Sequence, residues 1–340
     1  MRVDKLRARR VDPQVKLQKA VNEVYERIQD DDAVRYAIGA MQPIDPEYTA
    51  NTYAESGRVQ DQLAAGFLAA GRNAEYTHQG SVTSDTHIRA YSDIDLLVLE
   101  TRFLYLEPPL VPSVPYTGNP IQDLSGLRAI AETKLTTAFH AATVDCTGAK
   151  AICMSGGSLR RKIDVVIASW LHTPDYANGH GNQYRGVYVL DRPKQTVIMN
   201  KPFLHNHKVD QRDHVEGGGF RKIVRLLKSL KYDAAKPVSL ASYDVTAIAY
   251  GAPSGFWNAA RGQELMLVQQ AFTWLDYLNN NRTQASELYV PNGTRKVFTD
   301  GGATYQGLAE LHREVAGLLN DINQGLSRSF RKLNEARIGY

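Results

Sequence analysis

Cysteine is nearly absent: the 340 residues hold two, Cys146 and Cys153. Two cysteines build neither a disulfide framework nor a cysteine-rich metal centre, and they fit a reducing compartment. Long apolar runs are missing too. None approaches the roughly 20 residues that a membrane-spanning helix needs, so no membrane partner is expected. Met1-Arg2-Val3-Asp4-Lys5 is basic and polar, with no apolar signal core, and a cytoplasmic location is expected. Charge of one sign is also lacking. Forty basic residues face 36 acidic ones, a net charge of +4. That balance suits a small anionic ligand and is too weak to argue for nucleic acid as substrate. Proline is sparse except over 107–120, which holds five: Pro108, Pro109, Pro112, Pro115 and Pro120. This reads as an irregular surface connection. No internal repeat is visible. With 43% hydrophobic and 22% charged residues, the composition is that of an ordinary globular chain, long enough for one large domain or two lobes.

The informative stretch is Gln79-Gly80-Ser81, an eleven-residue loop (Val82 to Ser92), then Asp93-Ile94-Asp95-Leu96-Leu97-Val98-Leu99-Glu100. Side chains alternate along a strand, so Asp93 and Asp95 share a face. Leu96 to Leu99 fits a buried strand. Two carboxylates on one face of such a strand are costly unless something neutralises them, and a divalent cation does so. Gly80 lets a backbone approach closely, and Ser81 offers a hydroxyl and an N–H to phosphate oxygens. Within the loop, Ser84 and Asp85 are read as turn formers, His87 as exposed and Arg89 as a minor phosphate candidate.

A third acid follows in Arg161-Lys162-Ile163-Asp164-Val165-Val166-Ile167-Ala168. Alternation puts Lys162, Asp164 and Val166 on one face. One reading makes Asp164 a strand-edge acid paired with Arg160 or Lys162. The reading preferred here is functional, because an acid among Ile and Val is otherwise poorly solvated. Such a carboxylate can ligate a metal and accept a proton from an attacking hydroxyl.

Elsewhere the pattern predicts helices over 13–29, 53–70, 121–140, 220–232 and 262–278, and closing helices over 303–326 and to about 338. Asp30-Asp31-Asp32 reads as a solvated loop. Strands are expected at 74–79, 142–146, 150–154, 162–168, 182–190 and 196–199. Met154-Ser155-Gly156-Gly157-Ser158 is a turn, and it lacks the Lys-Ser/Thr of a phosphate loop. The texture changes from strands to helices near residue 203. The 220–232 helix buries Phe220, Ile223, Val224, Leu227 and Leu230, and Arg221 and Arg225 read as a solvated face. Lys228, in Leu226-Leu227-Lys228-Ser229-Leu230-Lys231, is set apart from these two. After it, another helix is expected to begin Val238-Ser239-Leu240-Ala241-Ser242-Tyr243, in which Ser242 could be a cap and Tyr243 a packed core ring.

The set Gly80-Ser81, Asp93-x-Asp95 and Asp164 resembles the polymerase-β-type nucleotidyltransferase superfamily. Leu226-Leu227-Lys228-Ser229-Leu230-Lys231 and Ser242-Tyr243 narrow the resemblance to the bacterial CD-NTases (cGAS/DncV-like nucleotidyltransferases), which are related to cGAS and oligoadenylate synthetase. It extends from about residue 50 onward. It implies a bilobal α/β (α+β) fold, with a mixed sheet carrying the three aspartates, a helical lobe, and the active site in the cleft. The corresponding domains are 1–202, with N-terminal bracing helices, and 203–340. The resemblance implies that Asp93, Asp95 and Asp164 hold two Mg²⁺ ions, with Mn²⁺ as a substitute. Gln79, Gly80, Ser81, Lys228, Ser242 and Tyr243 would bind the nucleotide. The substrates would be NTPs (ATP, GTP or both, with pyrimidine NTPs as further candidates). The product would be a cyclic di- or trinucleotide messenger that activates a separate effector in anti-phage (CBASS) defence. A regulatory or conjugating partner is a further expectation, with Arg337-Ile338-Gly339-Tyr340 as a weak candidate tail.

Three rivals stand beside this reading: a related enzyme with a linear product or another acceptor, a nucleotide-binding pseudoenzyme, and an unrelated Mg²⁺ phosphohydrolase. The three retained acids argue against the second. The Gly-Ser turn with Ser-Tyr argues against the third.

Overall fold

The computed structural model describes residues 2–10, 31–90 and 92–338, with side chains up to residue 327. The helix expected over 13–29 lies outside the described residues, as do Gly339 and Tyr340. The chain divides into two compact units: Asp45–Asp85 with Tyr91–Lys208, and Met1–Ile44 with Thr86–Ala90 and Val209–Tyr340.

The first unit is a seven-stranded mixed sheet. Its strands are β1 (Ala74–Gln79), β2 (Ile94–Leu106), β3 (Thr143–Asp145), β4 (Ala151–Gly156), β5 (Leu159–His172), β6 (Gly186–Asp191) and β7 (Thr196–Asn200). The main order is β1-β2-β5-β4-β3, with β6 and β7 continuing from β5. Only β2 and β5 run parallel, and every other pair is antiparallel. The strand expected over 182–190 begins only at Gly186, after a short 3₁₀ turn at Asn182–Tyr184.

The central strands are covered on both faces, which is why Leu96 to Leu99 reads as an unbroken apolar run. On one face Leu96, Val98, Val165 and Ile167 pack under the helices Pro46–Ala69 and Pro120–Ala138, meeting Leu63, Phe67, Leu124 and Leu127. On the other face a smaller cluster gathers Leu97, Leu99, Val166, Ala168, Val187 and Val189. Side-chain alternation puts Asp95 and Asp164 on this second face, at its end. Glu100 is fully buried further along β2. Its carboxylate accepts from Arg72 and Arg102, so the deep charge is paired.

The second unit is helical and centres on Gly219–Asp233, whose Phe220, Ile223, Val224, Leu227 and Leu230 are all inaccessible to solvent. Helices Ser242–Tyr250, Met266–Asn280 and Tyr305–Ile338 pack into the same core. The two closing helices of the sequence reading are thus one continuous helix. No helix among the described residues is long and apolar enough to cross a membrane.

The N-terminal segment differs from the sequence expectation, which grouped it with the sheet. Val3 and Leu6 of the Arg2–Arg10 helix, and Tyr36 and Met41 of Asp32–Met41, belong to the helical core. Asp31 is not a loop acid: it caps the second of these helices by accepting from the Ala33 N–H at 2.9 Å. Buried Arg9 pairs with buried Asp233, and Tyr36 Oη donates to the same carboxylate at 2.8 Å. These partners stand some 200 residues apart, beyond the reach of periodicity.

Removing one member of a buried pair leaves the other charge unpaired. Arg9→Ala should therefore destabilise the protein by roughly 3–5 kcal/mol in urea denaturation. A cost under about 1 kcal/mol, the scale of an exposed pair, would mean that the N-terminal helix adds little to the helical core.

Candidate active site

One transverse row of the sheet carries the chemistry. Asp95 on β2 lies opposite Gln79 on β1 and beside Asp164 on β5, and Asp164 lies opposite Cys153 on β4. Residues paired across strands share a face, so all four side chains emerge on one side. Asp93 is exposed just before β2 begins.

Neighbouring strands are about 4.8 Å apart, so the two central carboxylates repel one another. Burial first, then the charges of Asp164 and Asp93, push Asp95 up to about 7, with Lys162 opposing the rise. Asp164 is engaged at both oxygens. The Cys153 thiol donates to Oδ1 at 2.8 Å, and Lys162 Nζ donates to Oδ2 at 2.9 Å. Burial alone would lower the Lys162 ammonium, yet its bonds to Asp164 and Cys153 carry it above the ordinary lysine range. Burial first, then the bond to Asp164, raise the Cys153 thiol and keep it a donor, with Lys162 opposing the rise. The pairing of Asp164 with Lys162, weighed in the sequence as a structural reading, is therefore present. Arg160 is not the partner at this carboxylate; its backbone N–H donates to Glu55 Oε2 at 2.9 Å.

The Gly-Ser turn abuts the row. Gly80 has φ +95°, and a Cβ built there would stand 2.5 Å from Asp95 Oδ2. Both facts call for glycine. Thr83 Oγ1 donates to Gly80 O at 2.8 Å, and Asn206 Nδ2 donates to that hydroxyl at 2.9 Å. Asn200 Nδ2 reaches Gln79 Oε1 at 3.2 Å. Ser84 bonds within the turn as expected, and Ser81 is half-buried. Asn200, Asn206 and Cys153 carried no periodic signal; strand register brings Asn200 and Cys153 here, and the helix Pro202–Val215 brings Asn206. Lys162 did carry one, since its face followed from alternation.

The donor set is hard oxygen, which fits Mg²⁺ or Mn²⁺ better than zinc. Among the described residues, no three His, Cys, Asp or Glu side chains are gathered to hold an ion alone. Mg²⁺ usually takes one or two carboxylates and completes its shell with water and substrate phosphates. The repulsion felt by Asp95, and the lysine drawn onto Asp164, mark a place where positive charge is needed.

The other predicted residues lie in the helical unit. Lys228 is 6% exposed and donates to Thr86 O at 3.2 Å and Thr86 Oγ1 at 2.9 Å. Burial first, then the nearby Arg225, push its ammonium down to about 7. Ser242 is exposed at the first position of its helix; Ala241 is the N-cap, so Ser242 does not cap. Tyr243 is half-buried against the core, and its hydroxyl donates to Asn292 Oδ1 at 3.2 Å. Its ring lies 5.5 Å from the Arg295 guanidinium. Burial pushes its phenol up to about 12.

Two expectations are corrected. His87 is 5% exposed rather than open, because Thr86–Ala90 is drawn into the helical unit. Arg9 Nε donates to Ile88 O at 3.2 Å, and the Ala90 N–H donates to Arg9 O at 2.9 Å. Arg225 is 4% exposed rather than solvated; its Nε donates to Met41 O at 2.8 Å, sealing the end of the Asp32–Met41 helix. Arg221 pairs with Asp213 and Asp210, and Arg89 lies over the Tyr232 ring.

No family model matches the chain. It is 34% identical over 307 residues to the cyclic dinucleotide synthase CdnE of Yersinia aleksiciae, covering 89% of this chain and 78% of that one. It is 28% identical over 319 residues to a c-di-GMP synthase of Lachnospiraceae bacterium strain RUG226, covering 86% and 90%. Among solved structures it resembles the STING-associated CdnE c-di-GMP synthase of Capnocytophaga granulosa, with a TM-score of 0.77, 25% identity, and 95% and 98% of the two chains covered.

Gly80→Ala should cost about 1–2 kcal/mol in urea denaturation, from strained backbone and from the Asp95 contact. Repeating it on Asp95→Ala should recover part of that cost; full additivity would show that the close approach does not matter. A second expectation concerns Lys228. An unfolded lysine titrates near about 10.4, so between pH 7 and 10 the unfolded chain holds a proton that the folded chain has released. Stability from this group therefore rises with pH across that window. Relative to the wild type, Lys228→Met should be more stable at pH 6.5 than at pH 9, by on the order of 2–3 kcal/mol. Equal urea midpoint differences at the two pH values would contradict the buried ammonium.

Proposed function

The chain belongs to the bacterial CD-NTase family of nucleotidyltransferases, and from that premise we propose that it joins two nucleoside triphosphates into a cyclic dinucleotide with release of pyrophosphate. The observation that carries the proposal is the Asp95–Asp164 row with Gly80 against it. Two acids of matched register beside a turn free of side-chain bulk form a place for a triphosphate and its cations. GTP is the first substrate to test, because two of the similar proteins are named c-di-GMP synthases.

We assign Asp93, Asp95 and Asp164 to two Mg²⁺ ions, with Mn²⁺ as a substitute. When bound, the ions neutralise triphosphate charge and stabilise both the entering and leaving oxygens. The Gly80-Ser81 turn is assigned to the phosphates, and Gln79 to the support of that turn. Lys228 and Ser242 are assigned to the donor triphosphate and Tyr243 to its base, on the resemblance of their segments to the family. Asp164 takes the proton of the acceptor ribose hydroxyl. The hydroxyl oxygen bonds to the α-phosphorus, the bond to the bridging oxygen breaks, and that oxygen leaves with the pyrophosphate. A second transfer on the linear intermediate closes the ring. NTP substrates suit a cytoplasmic location, and the product would act on a separate effector.

Purified protein incubated with all four NTPs and Mg²⁺ or Mn²⁺, then phosphatase, should yield a resistant species with the mass of a cyclic dinucleotide. A phosphatase-sensitive product would indicate a linear one, and orthophosphate alone would indicate a hydrolase. Asp95→Ala should lower the yield at least about 10³-fold, a loss of several kcal/mol of transition-state stabilisation. Its urea midpoint should hold or rise, since one repelling charge is gone. Retained turnover would remove Asp95 from the site.

A further inference from the structure

Lys162 and Asp164 sit two residues apart on β5 and therefore on one face, and the ammonium binds the acid at 2.9 Å. The pair is unequal in its freedom. The Lys162 side chain is 39% exposed, whereas that of Asp164 is 18% exposed. Cys153, on the adjoining strand, holds the other oxygen of Asp164 at 2.8 Å. The carboxylate is thus fixed from the strand side by a thiol and capped from the open side by a long, flexible, compact cation. Beside it in register stands Asp95, with Asp93 two residues before. Three acids and one part-exposed lysine share this end of the sheet.

We infer that Lys162 is an internal counter-cation: its ammonium neutralises the acid row while no divalent ion is present, and it leaves Asp164 Oδ2 when such an ion binds. The inference rests on the nucleotidyltransferase reading, which places a divalent ion at these acids. Cys153 is the positioning residue that remains. Its thiol keeps Asp164 in one rotamer as the lysine departs, so the acid is already aimed. The ammonium offsets part of the repulsion between neighbouring acids while the row is empty. It also sets a competition, because each ion bound at Asp164 must displace an ammonium. The lysine therefore lowers the affinity for the ion alone, and a triphosphate arriving with its ion offers the displaced ammonium a new anionic neighbour.

The test is a Mn²⁺ titration of the full chain without nucleotide, followed by the paramagnetic resonance of free Mn²⁺. The wild type, Lys162→Met, Lys162→Gln and Lys162→Arg are compared. Both neutral variants should bind Mn²⁺ more tightly, roughly three- to tenfold, the scale expected of a partly exposed charge. Lys162→Arg keeps the charge and should show no tightening. In thermal melts, the neutral variants should fall below the wild type in EDTA and recover with Mn²⁺. Should Lys162→Met fail to fold, Lys162→Gln carries the same comparison. Unchanged or weaker Mn²⁺ binding in the neutral variants, with wild-type binding intact, overturns the inference and makes the pair a fixed structural bridge. Absence of Mn²⁺ binding in the wild type, with and without GTP, overturns the nucleotidyltransferase reading as well.

Discussion

Two like charges placed side by side by strand register are the constraint from which the site follows. Asp95 and Asp164 cannot move apart without breaking the β2–β5 pairing, which also holds the core residues Leu96, Val98, Val165 and Ile167. The repulsion is therefore built in, and the surroundings answer it. Burial and mutual repulsion raise Asp95, a lysine and a thiol take both oxygens of Asp164, and the Gly-Ser turn stays small enough to leave Asp95 in place. A site of this kind stores a demand for positive charge in backbone geometry, and a divalent ion carried by a polyphosphate is suited to meet it.

Much of the row was legible in the sequence because strands have a period of two. Asp93, Asp95, Lys162 and Asp164 could be assigned faces from spacing alone, and β1 was expected over the same residues where it is found. What alternation cannot supply is register. Nothing in the spacing of Cys153 or Gln79 says which residue on the next strand each will meet, and the asparagines that brace the Gly-Ser turn come from residues 200 and 206. The helical stripe of Phe220 to Leu230 was equally plain, yet the same helix hides a burial that charge misreports. Arg225 looks like a surface residue in sequence and is enclosed in the fold, as is Lys228, because Met41 and Thr86, far upstream, supply carbonyl and hydroxyl partners.

Those long-range partners also explain why the unit boundary departs from a single cut near 202. The segment Thr86–Ala90 belongs by its contacts to the helical unit although it lies between the Gly-Ser turn and Asp93 in sequence. Arg9 and Lys228 both fasten it. A loop that reads as polar and exposed is thus held by a buried arginine on one side and a buried lysine on the other. His87 goes inside with it.

The split composition of the helical unit has a consequence for the newly made chain. Its first helices, with Leu6 and Tyr36, leave the ribosome long before the residues that bury them, Phe220, Leu230, Leu311 and Leu318. Synthesis runs at about 5–20 residues per second, so these early apolar faces wait on the order of ten seconds or more for their partners. The sheet unit, complete by Lys208, has all its strands available sooner. Order of emergence thus favours a nascent chain in which the acid-bearing sheet is assembled first, while the N-terminal helices wait for Gly219–Asp233 and the helices after it.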